Sequence, residues 1–420
     1  MFKFLHAADI HLDSPLLRLD VYEGAPAAEI RGATRRAFEN LVQTALAEEV
    51  DFVVLAGDIF DGDWKDYNTG LHFAARIARL REAGIPVILA AGNHDAASSI
   101  SRSLRLPDNA RVFPHDRPDT FRLESVNVAV HGQSFGSPAV RADLSRGYPA
   151  PVPGCFNVGL LHTGVNGREG HERYAPCTLA ALREKGYDYW ALGHVHQREV
   201  LSAEPLVVFP GNTQGRHARE TGAKGCILVT VDDSGRAAID FRPMDVVRWA
   251  AAAVDAAGSD SAYDLVDRFR RRIPALLAAN PEGLTVVRVR VEGATPAHDD
   301  LMSDPQRWES EIRAAAAEDG GERLWVEKVR LGTHAPRSTN DLPPDGAVGE
   351  LMSLIDEIGS DPAALGALAA ELADLEKKLP REFRDGAEGW TPDSPGWLAG
   401  LLAESRSLLV RRLMKARDDG

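Results

Sequence analysis

Three short apolar runs near the start of the chain, FKFLHAAD (2–9), DFVVLAGD (51–58) and PVILAAGN (86–93), each have the length of one buried strand. The stretches between them, 31–49 and 69–83, carry apolar residues at helical spacing with Arg and Glu outside. That alternation predicts βαβ units and parallel strands. After about residue 110 the pattern changes. RVFPH, FRLESVNVAVHG, FNVGLLHTG, YDYWALGHVH, PLVVFPGN and GCILVTVDD read as strands separated by Gly/Pro turns, with one helix near 178–186. Beyond Met244, WAAAAVD, a helix at 261–279, the alternating strand LTVVRVRVE (284–292), a helix at 305–317 and the strand ERLWVEKVRL (322–331) predict a small α+β unit. THAPRSTNDLPPDG (333–346) reads as a linker, and helical segments at 347–378 and 395–417 follow. The domain boundaries expected are 1–245, 246–335 and 336–420.

Composition changes this picture little. With 420 residues, 44% hydrophobic and 26% charged, the chain is a folded protein too long for one comfortable core. Its 48 Lys plus Arg against 62 Asp plus Glu leave a net charge of -14. A broad basic surface for nucleic acid is thereby disfavoured, though a local basic groove is not. Cys155, Cys177 and Cys226 are too few and too far apart for a disulfide framework or thiolate zinc site, so a reducing, cytoplasmic setting is expected. No export signal is visible and no apolar stretch reaches 18 residues, so no membrane span is expected.

The chemistry lies where the strands end. Asp9-Ile10-His11, Gly57-Asp58 with Asp61, Gly92-Asn93-His94-Asp95, His162 and Gly193-His194-Val195-His196 each follow or close an apolar run. In α/β folds ligands collect at the carboxyl ends of strands, so these five loops are expected to converge. A single such Asp or His is more often structural. Five in register point instead to a dinuclear hydrolytic site. Carboxylate, imidazole and amide oxygen without thiolate suit Mn²⁺, Mg²⁺, Fe or Zn²⁺. Asp58 could bridge two ions about 3.5–4 Å apart, with a bridging hydroxide as nucleophile.

The ordered set DIH, GDIFD, GNHD, His162 and GHVH resembles the calcineurin-like metallophosphoesterase superfamily. ADIHLDSPL, LAGDIFD, LGHVHQRE and FPGNTQGRH are most similar to SbcD-type DNA repair exonucleases, in the branch of the bacterial YhaO proteins. The resemblance implies a four-layer α/β/β/α sandwich with a small α+β cap and a helical C-terminal region. It implies one metal held by Asp9, His11, Asp58 and His196 and another by Asp58, Asn93, His162 and His194, with Mn²⁺ the foremost cofactor. His94 would sit beside the scissile phosphate, oriented by Asp95. Some relatives carry a His just after the GD motif, where this chain has Ile59, Phe60 and Asp61, so no such assistance is implied. The Gly-rich loop 210–217 has two readings, a tight turn or a phosphate or base contact through Asn212, Arg216 and His217. His131 reads as structural.

No G-x-x-x-x-G-K-[ST] motif occurs, so ATP hydrolysis by a P-loop is not expected. The resemblance implies an SbcC-type coiled-coil ATPase partner, docked on C-terminal helices. The segment with Trp397, Leu398, Leu401, Leu402, Leu408, Leu409 and Leu413 beside Arg406, Arg411, Arg412 and Lys415 suits that role or packing on its own domain. A homodimer also stays open. The function expected is a metal-dependent DNA exonuclease. Two alternatives remain: a phosphoesterase for small phosphodiesters, nucleotides or phosphoproteins, and a non-catalytic, metal-stabilised assembly subunit.

Overall fold

The computed structural model describes residues 1–14, 26, 29–30, 32–61, 67–97, 104–165, 174–336 and 347–378, together with 397–398, 401–402 and 405. The expected βαβ series opens the chain: β1 (Phe2–Ala7), α1 (Ala33–Ala47), β2 (Phe52–Ala56), α2 (Tyr67–Glu82), β3 (Val87–Ala90), α3 (Asn93–Ala97) and β4 (Ala110–Val112). There follow β5 (Asp119–Leu123), β6 (Val128–Gly132), β7 (Phe156–His162), α4 (Leu179–Glu184), β8 (Tyr189–Gly193), β9 (Glu199–Ala203), β10 (Leu206–Phe209), β11 (Gly225–Val231) and β12 (Ala237–Pro243). They build two six-stranded sheets, ordered β12-β11-β1-β2-β3-β4 and β5-β6-β7-β8-β10-β9. Within these, β1 to β4 run parallel, as do β6, β7, β8 and β10. FRLESVNVAVHG, one apolar run in the sequence, divides into β5 and β6 because Asn127 takes a left-handed conformation (φ 52°) and turns the chain into an antiparallel pair.

Alternation within the strands sets the layers. Leu5, Ala7, Val53, Leu55, Val87 and Leu89 face Ala37, Phe38, Leu41 and Val42 of α1 in one core. Their neighbours Phe4, Phe52, Val54, Ala56 and Ile88 point the other way and meet Val128, Val130, Val158, Leu160 and Tyr189 of the second sheet. On that sheet's far side Leu161, Trp190 and Leu192 pack with Leu182 of α4. Strands buried on both faces need near-continuous apolar sequence, as the strand runs show. The result is an α/β/β/α sandwich.

A third sheet, all parallel, orders β13 (Val247–Asp255), β14 (Leu284–Ala294) and β15 (Leu324–His334). Its crossovers are α5 (Ala262–Arg270) with α6 (Ile273–Ala278), and α7 (His298–Ser303) with α8 (Pro305–Gly320). Val287, Val289 and Val291 pack on Leu265, Phe269, Trp308 and Ile312. The helix expected over 261–279 is broken at Arg271–Arg272 because Pro274, in the first turn of α6, has no N–H for a continuous helix. Residues 1–335 form one compact unit and 336–420 another. The second contains α9 (Ala347–Ser360) and α10 (Pro362–Lys378), divided before Pro362. The linker expected at 333–346 starts later than its turn-rich sequence suggested, because β15 continues to His334; residues 337–346 and the terminal helix expected at 395–417 lie outside the described residues, apart from the five positions named above. Among the described residues, no helix is long and apolar enough to cross a membrane.

Candidate metal centre

Parallel strands bring their carboxyl ends to one edge, and the loops that leave them are stitched together there. Asp9 N–H donates to Gly57 O (3.0 Å), His11 N–H to Asp58 O (3.0 Å) and Leu12 N–H to Ile59 O (2.9 Å). The cost is backbone strain. Asp9 (φ 52°), His11 (45°), Asp58 (53°) and His194 (102°) all stand at positive φ, each at about 1–3 kcal/mol, a cost typical of functional sites. The neighbouring glycines are steric necessities: a Cβ on Gly193 would lie 1.8 Å from Ala56 O, and one on Gly57 2.5 Å from His162 Nδ1.

Three overlapping groups result, Asp9/His11/His196, His11/Asp58/His94 and Asp9/Asp58/His162, each with candidate ligand atoms within 4.8 Å of one another. Asp9, His11, Asp58 and His162 are buried. Asn93 Oδ1 lies 2.9 Å from His162 Nε2, and the His194 ring packs edge-on against His162 with centroids 5.2 Å apart. The structure therefore gathers all seven residues expected as ligands. A cavity of about 560 Å³ opens onto them, lined by Asn93, His94, Tyr174, His194, His217 and Lys224 among others.

Hydrogen bonding shows whether this donor set fits cations. His162 Nδ1 donates to Ala56 O (2.9 Å) and His196 Nδ1 to Glu220 Oε1 (2.6 Å), which turns both Nε2 atoms inward. His196 Nε2 then faces His11 Nε2 at 3.2 Å, while the buried His11 Nδ1 has Asp61 Oδ1 beside it at 3.5 Å. Charge gives the same answer. Burial, with Asp58 adding, pushes Asp9 up to about 6 against the pull of His196 and His162. Burial would likewise raise Asp58, but the His162 charge and hydrogen bond, then His11 and His94, hold it well below the carboxylate range. Burial works to lower His162, and the Asp58 charge overrides it to raise the ring to about 9. A field that draws a proton between Asn93, Asp58 and Asp9 also favours a divalent ion there. The residues fit hard or borderline cations, and the His/Asp clusters are consistent with a dinuclear site.

Comparison with known proteins agrees. Residues 2–198 match the calcineurin-like phosphoesterase family model, and 249–334 match that of the metallophosphoesterase YhaO middle domain. Metallophosphoesterase YhaO of Bacillus subtilis, itself uncharacterized, is 34% identical over 99% of this chain and 98% of its own. The chain belongs to the YhaO family of calcineurin-like metallophosphoesterases. More distant are two archaeal proteins named DNA double-strand break repair protein Mre11. The one from Methanopyrus kandleri is 25% identical over 87% of this chain and 84% of its own, and the one from Aeropyrum pernix 28% over 67% and 70%.

Within this YhaO-family site, two expected roles need correction. Asp95 does not orient His94. Its buried carboxylate accepts from Phe60 N (2.9 Å) and Gly92 N (3.0 Å), fastening the loops after β2 and β3. The partner of His94 is Asp61, whose Oδ1 lies 2.9 Å from His94 Nδ1. Asp61 Oδ2 accepts from Ser14 Oγ (2.7 Å) and faces Arg216 Nη1 (3.4 Å). The hydrogen bond to Asp61 is the main cause that raises His94, against burial. Asn212 cannot touch substrate either: it is fully buried and donates to Gln214 O and Glu220 Oε2 (both 2.9 Å). Its loop is a strap, with Gln214 Oε1 accepting from Val246 N and Val247 N and Gly215 O from Trp249 Nε1. Arg216 reaches the site through Asp61, and His217 lines the cavity. His131 is buried between Thr120 and Asn157, a structural residue. Glu220, absent from the sequence reading, is the carboxylate behind His196.

Proposed function

We propose that this metallophosphoesterase is a metal-dependent DNA nuclease, acting as an exonuclease in end processing. The observation that carries the reading is the extent of the likeness to Methanopyrus kandleri Mre11, which spans 87% of the chain and so runs beyond the phosphoesterase sandwich. In this reading Asp9, His11, Asp58 and His196 hold one cation, and Asp58, Asn93, His162 and His194 the other, with Mn²⁺ foremost. When bound, two such ions acidify water and offset phosphate charge. The chain's own residues do the rest. His94 Nδ1 is committed to Asp61, which leaves Nε2 to protonate the departing sugar oxygen. Arg219 and Lys224 line the cavity and supply local positive charge despite the acidic whole, and His217 lies beside them. An SbcC-type coiled-coil ATPase, docked on the helices from 347 onward, would add DNA affinity in the reducing cytoplasm that suits three free thiols. Deleting 395–420 should abolish its co-purification.

The deciding experiment compares substrates. Purified protein with Mn²⁺ or Mg²⁺ is given end-labelled DNA, bis-p-nitrophenyl phosphate and nucleotides, with and without the ATPase. Release of nucleotides from DNA ends supports the reading. Fast turnover of the small diester with intact DNA in every condition would replace it with the small-phosphoester alternative.

A further inference from the structure

His196, one of the ligands proposed above, has a side-chain carboxylate hydrogen-bonded to its outer nitrogen. Glu220 Oε1 lies 2.6 Å from His196 Nδ1 and Glu220 is 7% exposed. Its second oxygen is also engaged, since Oε2 accepts from Asn212 Nδ2 (2.9 Å) and from Arg216 N–H (2.6 Å). The main chain of His196 is fixed separately: buried Lys224 Nζ donates to His196 O (2.9 Å). Glu220 thus meets donors at both oxygens, while Lys224 restrains the backbone that carries the ring.

We infer that Glu220 is a positioning residue that holds the His196 proton on Nδ1 and so keeps Nε2 available as a ligand toward Asp9 and His11. Imidazole binds a cation only through an unprotonated nitrogen, and the hydrogen bond made by the other nitrogen decides which one that is. A carboxylate accepts and never donates when ionised. With Glu220 in place, the Nδ1–H tautomer is therefore selected before any ion arrives.

The two occupied oxygens make Glu220→Gln a sharp probe. Two hydrogen-bond donors, Asn212 Nδ2 and Arg216 N–H, converge on the Oε2 position; at Oε1 only His196 Nδ1 is within close hydrogen-bonding distance, with His217 Nε2 farther off at 3.5 Å. The amide oxygen of glutamine will take the place that satisfies two donors, which turns its NH₂ toward His196 Nδ1. That group donates, so Nδ1 must become the acceptor and the ring proton moves to Nε2, where it blocks the ligand lone pair. An isosteric change 2.6 Å from Nδ1 thus acts on the opposite side of the ring.

The inference rests on His196 being a ligand, and the test separates the two claims. Full-length metal-depleted protein, labelled with ¹⁵N-histidine, reports the tautomer by NMR, with the His196 signals identified by their loss in His196→Ala. Wild type should show Nδ1–H and Glu220→Gln Nε2–H. Calorimetric titration with Mn²⁺ alone should show two sites, one weakened about 10- to 100-fold in Glu220→Gln and the other retained. Nε2–H in the metal-free wild type overturns the inference, and that measurement requires no variant to fold. Unchanged Mn²⁺ affinity in Glu220→Gln, with His196→Ala weakened, overturns it and leaves the ligand assignment standing. Unchanged affinity in both variants overturns the ligand assignment and the inference together.

Discussion

Replacing Asp61 by Asn removes the charge behind His94 while keeping a side chain of the same shape. The bond at stake is Asp61 Oδ1 to His94 Nδ1 at 2.9 Å, with the side chains 17% and 38% exposed. A hydrogen bond to a charged group contributes about 1.5–3 kcal/mol and a neutral one about 1, a difference of about 0.5–2 kcal/mol, and solvent screening at this exposure keeps it below the upper end, about 1 kcal/mol. That corresponds to a roughly fivefold loss of kcat if the bond matters mainly in the transition state. The loss should depend on the leaving group. A deoxyribose oxygen needs a proton as it departs, whereas p-nitrophenolate does not, so DNA cleavage should fall about five- to tenfold and bis-p-nitrophenyl phosphate turnover less than about twofold. The pH profile moves as well. Asp61 raises His94, and a general acid works below its pKa and fails as pH rises through it. The alkaline fall in DNA cleavage should therefore begin at lower pH in Asp61→Asn. Asp95→Asn should leave that limb in place and lower stability instead, because Asp95 serves two backbone N–H groups. Equal losses on both substrates with an unmoved limb would refute the Asp61–His94 assignment.

Other outcomes follow from the same geometry. His6 is fully buried between Tyr189 Oη (3.0 Å) and Leu192 O (3.1 Å), and burial lowers it from 6.5 to about 3. The unfolded chain therefore binds a proton that the fold does not. This contribution to stability is complete above the unfolded pKa and is lost as pH falls from 6.5 toward 3, by about 2 kcal/mol at pH 5. Urea unfolding of wild type and His6→Gln at pH 7.5 and pH 5 should show the smaller pH dependence in the variant; equal slopes would contradict this. Gly193→Ala forces a methyl to within 1.8 Å of Ala56 O, where the two sheets meet. The overpacking should cost about 3 kcal/mol or more, seen as a lower urea midpoint; a wild-type midpoint would show that the strands can part there. Mn²⁺ at a hundred times its Kd should stabilise the chain by about 2.7 kcal/mol for each ion bound, and EDTA should reverse it. His162→Ala together with His196→Ala should abolish the gain, and a persistent gain would place the ions elsewhere.

Much of this was legible because strands buried on both faces leave long apolar runs, and the parallel strand ends put ligands at fixed points in the sequence. The metal-binding loops after β1, β2, β3, β7 and β8 could be read for that reason. The outer shell could not. Asp95 looked like the partner of His94 because it is adjacent in sequence, yet backbone direction turns its carboxylate to Phe60 and Gly92. Asp61 reaches His94 only through the parallel pairing of β2 with β3. Glu220 lies 24 residues beyond His196 in an irregular strap, with no periodicity to mark it. Its one available signal was a carboxylate close after a Gly-rich loop, which also describes many surface turns. Asn212 has the polar side chain and glycine neighbours of a contact residue, yet it is fully buried. Hydrophobic period reports which face is inside; it says nothing about which polar group meets which.

The central claim is that the Asp61–His94 pair beside a two-cation site cuts DNA. Wild type and His94→Ala, each reconstituted with Mn²⁺ and analysed for metal content, should be compared on end-labelled duplex DNA. The account predicts two ions per chain in both proteins, release of nucleotides by the wild type, and a loss of about 100-fold or more in the variant. Wild-type cleavage rates in His94→Ala at full metal content would contradict it.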